Sequence, residues 1–128
     1  MIQALNGTPF TGYLSLNTGA PGPLPFAIFP VPGGAAYALG AGERIYITSV
    51  TISTNDPALD LVTIDDGFIS SPTNIARAYV TITTPAYVDN FPPGIVRTAQ
   101  GKTPRAGSSA ITAAKTVECI IRGYISRT

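Results

Sequence analysis

A chain of 128 residues with one cysteine and a net charge of +1 is one domain's worth of sequence, long enough to build a core and unable to form an intrachain disulfide. Charged residues are 12% of the chain, against about 25% in ordinary soluble domains, and Thr and Ser supply most of the polarity. No basic stripe is present for nucleic acid, and no run of about 18 apolar residues is present for a membrane span, so neither partner is expected.

Residues 1–42 contain no Asp, Glu, Lys or Arg; all fifteen charges fall in 43–128. The uncharged part also holds six of the twelve prolines and eight of the thirteen glycines, which excludes a helix. Yet it carries Phe10, Tyr13, Leu14, Leu16, Phe26, Ile28, Phe29 and Val31, too many apolar groups for a disordered tail. The pattern predicts an extended, uncharged N-terminal arm over 1–23, followed by a β domain over 24–128. The aromatic anchors either fold back on the chain's own core or pack in subunit contacts, since both bury aromatic area. The N-terminus lacks a basic residue, and Pro and Gly interrupt its apolar stretches, so no secretory signal is expected.

Strand signals fill the remainder. Residues 24–31 read as an edge strand, with Pro25 and Pro30 near its ends. Gly33-Gly34 and Gly40-Ala41-Gly42 mark turns around a short extended piece at 37–39. Residues 44–54 form the clearest strand, β-branched and threonine-rich. Its apolar phase slips from Ile45 and Ile47 to Val50 and Ile52, which predicts a bulge near Ser49 or burial on both faces. Residues 59–64 are a second buried strand, ending at Asp65-Asp66-Gly67. Residues 76–83 alternate Ala78, Val80 and Ile82 against Arg77, Tyr79 and Thr81. Phe91-Pro92-Pro93-Gly94 is a corner, 94–98 a short extended piece, 99–107 a polar loop, and 108–114 a short strand and turn. In the final strand, 117–125, Val117, Cys119, Ile121, Gly123 and Ile125 form a core face; Glu118, Ile120, Arg122 and Tyr124 form a mixed one, where Glu118 and Arg122 are placed to pair across the sheet. Seven or eight short strands at turn spacings of roughly ten residues predict an all-β sandwich or barrel.

The chain has no histidine, which removes Ser-His-Asp and Cys-His catalysis and the commonest zinc ligand. It has no tryptophan for carbohydrate stacking and no phosphate loop or dinucleotide fingerprint. Asp56, Asp60, Asp65 and Asp66 cluster within eleven residues. Such oxygens suit calcium or a catalytic carboxylate pair, but EF-hand spacing is missing. The favoured reading puts Asp56 and Asp65-Asp66-Gly67 in turns, where Asp bonds its own backbone, and Asp89 in another turn or cap. Cys119, in an apolar alternating run, reads as a small buried hydrophobe. No enzyme, metal or cofactor is expected. Tyr46 and Tyr79 read as ordinary strand residues, while Tyr124 beside Ile120 and Arg122 is a candidate contact, since Tyr is enriched in hot spots.

The order "GAGERIYITSVTIST", "LVTIDDG", "NFPPGIVRT" and "TVECIIRGYIS" is a pattern of strands and turns rather than an invariant motif. Over about Phe26 to Ile125 it resembles the small jelly-roll decoration, or cement, proteins of tailed-bacteriophage heads. The resemblance implies a jelly roll that forms homotrimers on the outer surface of the capsid. These would bridge major capsid protein subunits after assembly in the host cytoplasm. Residues 1–23 match the arm that such proteins often lay on the shell. The candidate subunit or capsid contacts are Phe10, Tyr13, Leu16, Phe26, Phe29, Ile120, Arg122 and Tyr124. Two other readings stay open: another phage jelly roll of tail, baseplate or head fibre, and a lectin-like sandwich binding a glycan or ligand near Asp56–Asp66. A carboxylate hydrolase ranks last, since four turn-like acids have no His or Lys beside them.

Overall fold

The computed structural model describes residues 7–84, 86–109 and 111–127. Two antiparallel sheets pack face to face in an all-β sandwich. The strands are β1 (Thr8–Asn17), β2 (Leu24–Pro25), β3 (Ala27–Phe29), β4 (Glu43–Thr54), β5 (Asp60–Asp65), β6 (Asn74–Val80), β7 (Tyr87–Asn90), β8 (Val96–Arg97), β9 (Arg105–Ser108) and β10 (Thr116–Arg127). The larger sheet runs β3-β1-β10-β4-β7, with β8 also pairing β4; the smaller runs β2-β9-β5-β6. The chain passes repeatedly from one sheet to the other, an order consistent with the expected jelly roll.

The expected arm is not separate over its described part; residues 1–6 lie outside the described residues. β1 pairs with β10 along its whole length, Thr8 opposite Ile125 through Asn17 opposite Thr116, and with β3 on its other side. The reason lies in its alternation. Phe10, Leu14 and Leu16 point inward and are buried, while Thr11 and Tyr13 point to solvent. Burying three large side chains at roughly 1.5–3 kcal/mol each outweighs leaving them on a free arm.

The edge strand expected at 24–31 is split. β2 pairs with β9 in the smaller sheet and β3 with β1 in the larger one. Between them Phe26 is buried in the core, its N–H donating to the Pro104 carbonyl at 3.0 Å. The segment therefore bridges the open side of the sandwich, with the ring as its plug.

The slip in β4 is a bulge. Arg122 faces Ser49 while Gly123 faces Ile47, so Thr48 is the extra residue. Ile45 and Ile47 before it, and Val50 and Ile52 after it, all reach the core. The bulge draws β4 against β10 so closely that a Cβ on Gly123 would lie 1.8 Å from the Tyr46 carbonyl oxygen, which only glycine avoids. Alternation in β10 stays intact, with Val117, Cys119, Ile121 and Ile125 inward. Facing them across the core are Val62, Ile64, Ala76, Ala78, Val80 and Ala106. Burial pushes the Cys119 thiol up to about 12, so it packs as a small apolar group. Residues 105–107, expected in a loop, join Ser108 in β9, held between β5 and β2 and anchored by the buried Ala106.

Candidate interaction surface

In a pleated sheet the outward side chains of neighbouring strands line up in rows. Across the larger sheet one row holds Ala27, Tyr13, Ile120, Thr51 and Val88. The adjacent row holds Phe29, Thr11, Arg122, Ser49 and Asn90. These ten side chains carry a single charge, Arg122. Tyr13 is 43% exposed and Val88 58%, so apolar and aromatic surface lies open at both sides of the face. Ile120 and Phe29 are half-buried and Arg122 is exposed.

A third row adds one acid to the face. Glu118 lies between Ser15 and Ser53. Its carboxylate accepts hydrogen bonds from the Tyr13 hydroxyl and, at 2.6 Å, from the Ser15 hydroxyl. The bond to Glu118 raises the Tyr13 phenol above its ordinary range, with burial adding to the rise. The expected pairing of Glu118 across the sheet is thus to hydroxyls of β1. Arg122 keeps its charge for other use, since among the described residues the ion pair is Arg105 with Asp65.

Four of the eight expected contact residues, Tyr13, Phe29, Ile120 and Arg122, meet on this face, in the first two rows. The other four do not serve as open contacts. Phe10 and Leu16 occupy inward positions of β1, and Phe26 plugs the crossover, so all three belong to the core. Tyr124 does lie on the outer side, but its ring stacks on Tyr46 with centroids 5.0 Å apart and planes at 8°, and it packs closely against Gly7. Only 6% of it is exposed. Tyr46 is therefore more than a strand filler: it covers Tyr124.

Beside the second row, Phe29, Pro30, Pro32, Thr48 and Arg122 line a shallow groove of about 410 Å³. A second groove of about 590 Å³ is lined by Val31, Ala35, Ala36 and Tyr37 together with Thr8 and Ile125. Glu43 fixes its rim, accepting from the Tyr37 hydroxyl at 2.6 Å and the Gly40 N–H at 2.8 Å, which hold its carboxyl below the usual range.

The clustered acids have structural partners. Asp65 accepts from the Gly67 N–H at 2.8 Å and receives two bonds from Arg105, at 3.2 and 2.9 Å. Asp66 accepts from the Phe68 and Thr73 N–H groups, each at 3.1 Å. Asp56 accepts from the Ala58 N–H at 3.0 Å. These are the turns expected from sequence. Asp60 departs from them: it opens β5 and is fully buried next to Asp56. Asp89 is no cap but a β7 residue accepting from the Tyr87 hydroxyl at 3.0 Å. Among the described residues no three His, Cys, Asp or Glu side chains converge as metal ligands. No protein-family model matches the chain, and a search of the curated proteins found no relative.

Proposed function

We propose that this chain is a structural, non-catalytic subunit that works by having the outer face of its larger sheet covered by other protein. In its specific form the proposal is a decoration protein of a tailed-phage head. It would sit as a trimer on the outside of the capsid and bridge major capsid subunits. The observation that carries it is the pair of adjacent rows across five strands, ten side chains with the lone charge of Arg122 and with Tyr13, Phe29 and Ile120 around it. A flat face with few charges loses little solvation when covered, and aromatic and arginine side chains are the groups that anchor interfaces. Cyclic symmetry repeats one patch, so a small chain builds a large contact. A protein that binds only the assembled shell stabilises that shell by mass action, with no chemical step. The phage-head form rests on the resemblance of strands and turns read from the sequence.

The test is co-sedimentation of the purified chain with bare heads and, separately, with isolated tails of its cognate phage. Binding to heads, lost when Arg122 is replaced by Glu, supports the decoration reading. Binding to tails alone moves the protein to a tail or baseplate. Binding to neither removes the virion reading altogether.

A further inference from the structure

We infer that Asp56 and Asp60 form a proton-operated latch at one end of the sandwich: the buried pair shares one proton when closed and loosens the segments it joins when that proton leaves to solvent. The latch does not depend on what covers the larger sheet. Both residues are fully buried, Asp56 just after β4 and Asp60 at the first position of β5.

Asp56 ties distant parts of the chain together. Its carboxylate accepts from the Ala58 N–H at 3.0 Å and from the Thr112 N–H at 2.9 Å, in the segment before β10. Its carbonyl oxygen accepts from the Ile82 N–H at 2.8 Å, just past β6. Its own N–H donates to the Thr54 hydroxyl at 3.0 Å. Asp60 has the opposite surroundings. Neither of its carboxyl oxygens receives a hydrogen bond from a donor group among the described residues, and its neighbour at hydrogen-bonding reach is the Asp56 carboxylate. A buried carboxylate with no donor is costly, and two in contact more so. One shared proton removes both costs, since protonated Asp60 donates to Asp56.

The surroundings decide which partner holds the proton. Burial opposes charge on Asp56, but the Thr112 and Ala58 bonds outweigh it and hold that carboxyl down to about 2. Burial, then the hydrogen bond to Asp56 and its charge, push Asp60 up to about 6. As a coupled pair these are the two titration steps of one unit. Around Asp60, β6 presents Val80 opposite it, and the segment before β10 contributes Ser109, bonded to the neighbouring Leu61 N–H, and Thr112. None of these is ionisable, and the one charged group acting on Asp60 is Asp56.

Asp60 titrates higher folded than unfolded, where an Asp sits near about 4. Its stabilising effect is therefore complete below about 4 and drains away as pH rises through about 6. Asp56 titrates lower folded, so its effect is complete above about 4 and is lost as pH falls through about 2. The latch is tightest near pH ~4 and fully loosened above pH ~6.

The experiment is amide hydrogen exchange at Ala58 and Thr112 from pH 4 to 7.5, corrected for intrinsic rates, in the intact chain and in Asp60→Asn. The Asn amide donates to Asp56 at every pH. In the intact chain, protection should fall by up to about tenfold per pH unit between about 4 and 6 and then level off, while Asp60→Asn stays flat. Parallel behaviour of the two proteins would overturn the latch. If Asp60→Asn does not fold, the carboxyl ¹³C shift of Asp60 in the intact chain decides: a midpoint near 6 supports the latch and one near 4 overturns it.

Discussion

The two sheets treat charge on their outer faces in opposite ways. On the smaller sheet Asp65 and Arg105 stand opposite each other on β5 and β9 and close a two-point ion pair, with only 17% and 11% of the arginine and aspartate side chains exposed. On the larger sheet Glu118 and Arg122 lie on the same face, two outward steps apart on β10, and Glu118 is instead taken up by hydroxyls of β1. The smaller sheet thus uses this pair to hold the fold, while Arg77 on β6 stays exposed. The larger sheet ties its acid to hydroxyls and leaves Arg122, and the exposed Arg97 of β8 opposite Tyr46, without an ion-pair partner among the described residues. A charge committed to a structural pair is not available to a partner; Arg122 is.

The largest expected effect lies beneath the larger face, on the inner side of β1. Leu16 is fully buried, so Leu16→Ala should destabilise the isolated protein by about 2–5 kcal/mol in denaturant melts. A free arm would show no change. Next comes the smaller sheet. Arg105→Ala leaves Asp65 mostly buried without its cation, and the expected loss is about 3 kcal/mol, with self-association untouched. Comparable destabilisation from Arg122→Ala would erase the contrast between the faces. The smallest effect is Tyr13→Phe, which removes one exposed hydroxyl from Glu118 and should cost no more than about 1 kcal/mol by thermal melting.

Legibility followed the length of the alternation. In β10 the inward set of Val117, Cys119 and Ile121 is readable because period two holds without a break from Thr116 to Arg122. In β4 the phase slip announced its bulge, which the structure places at Thr48. β1 was harder. Gly12 interrupts its apolar series and the surrounding stretch has no charges, so strand and arm looked alike until a partner strand was present. β9, with one inward Ala106 beside Gly107, carries almost no local signal and exists because β5 and β2 flank it. The contact face is half legible: period two sets Phe10 and Leu16 opposite Tyr13 on β1, but which side is outward depends on the sheet above it. Asp60 was not legible, because its burial against Asp56 comes from the tertiary closure of the β4–β5 connection rather than from any turn signal.

The most direct test of the central claim is the solution mass of the purified 13.2 kDa chain and of Arg122→Glu, by light scattering over a range of concentrations. The account predicts a mass of three chains for the first and of one chain for the second, with the melting temperature of the variant unchanged. A single-chain mass for the unaltered protein at every concentration, or a trimer that survives the charge reversal, would contradict a trimer formed through the outer face of the larger sheet.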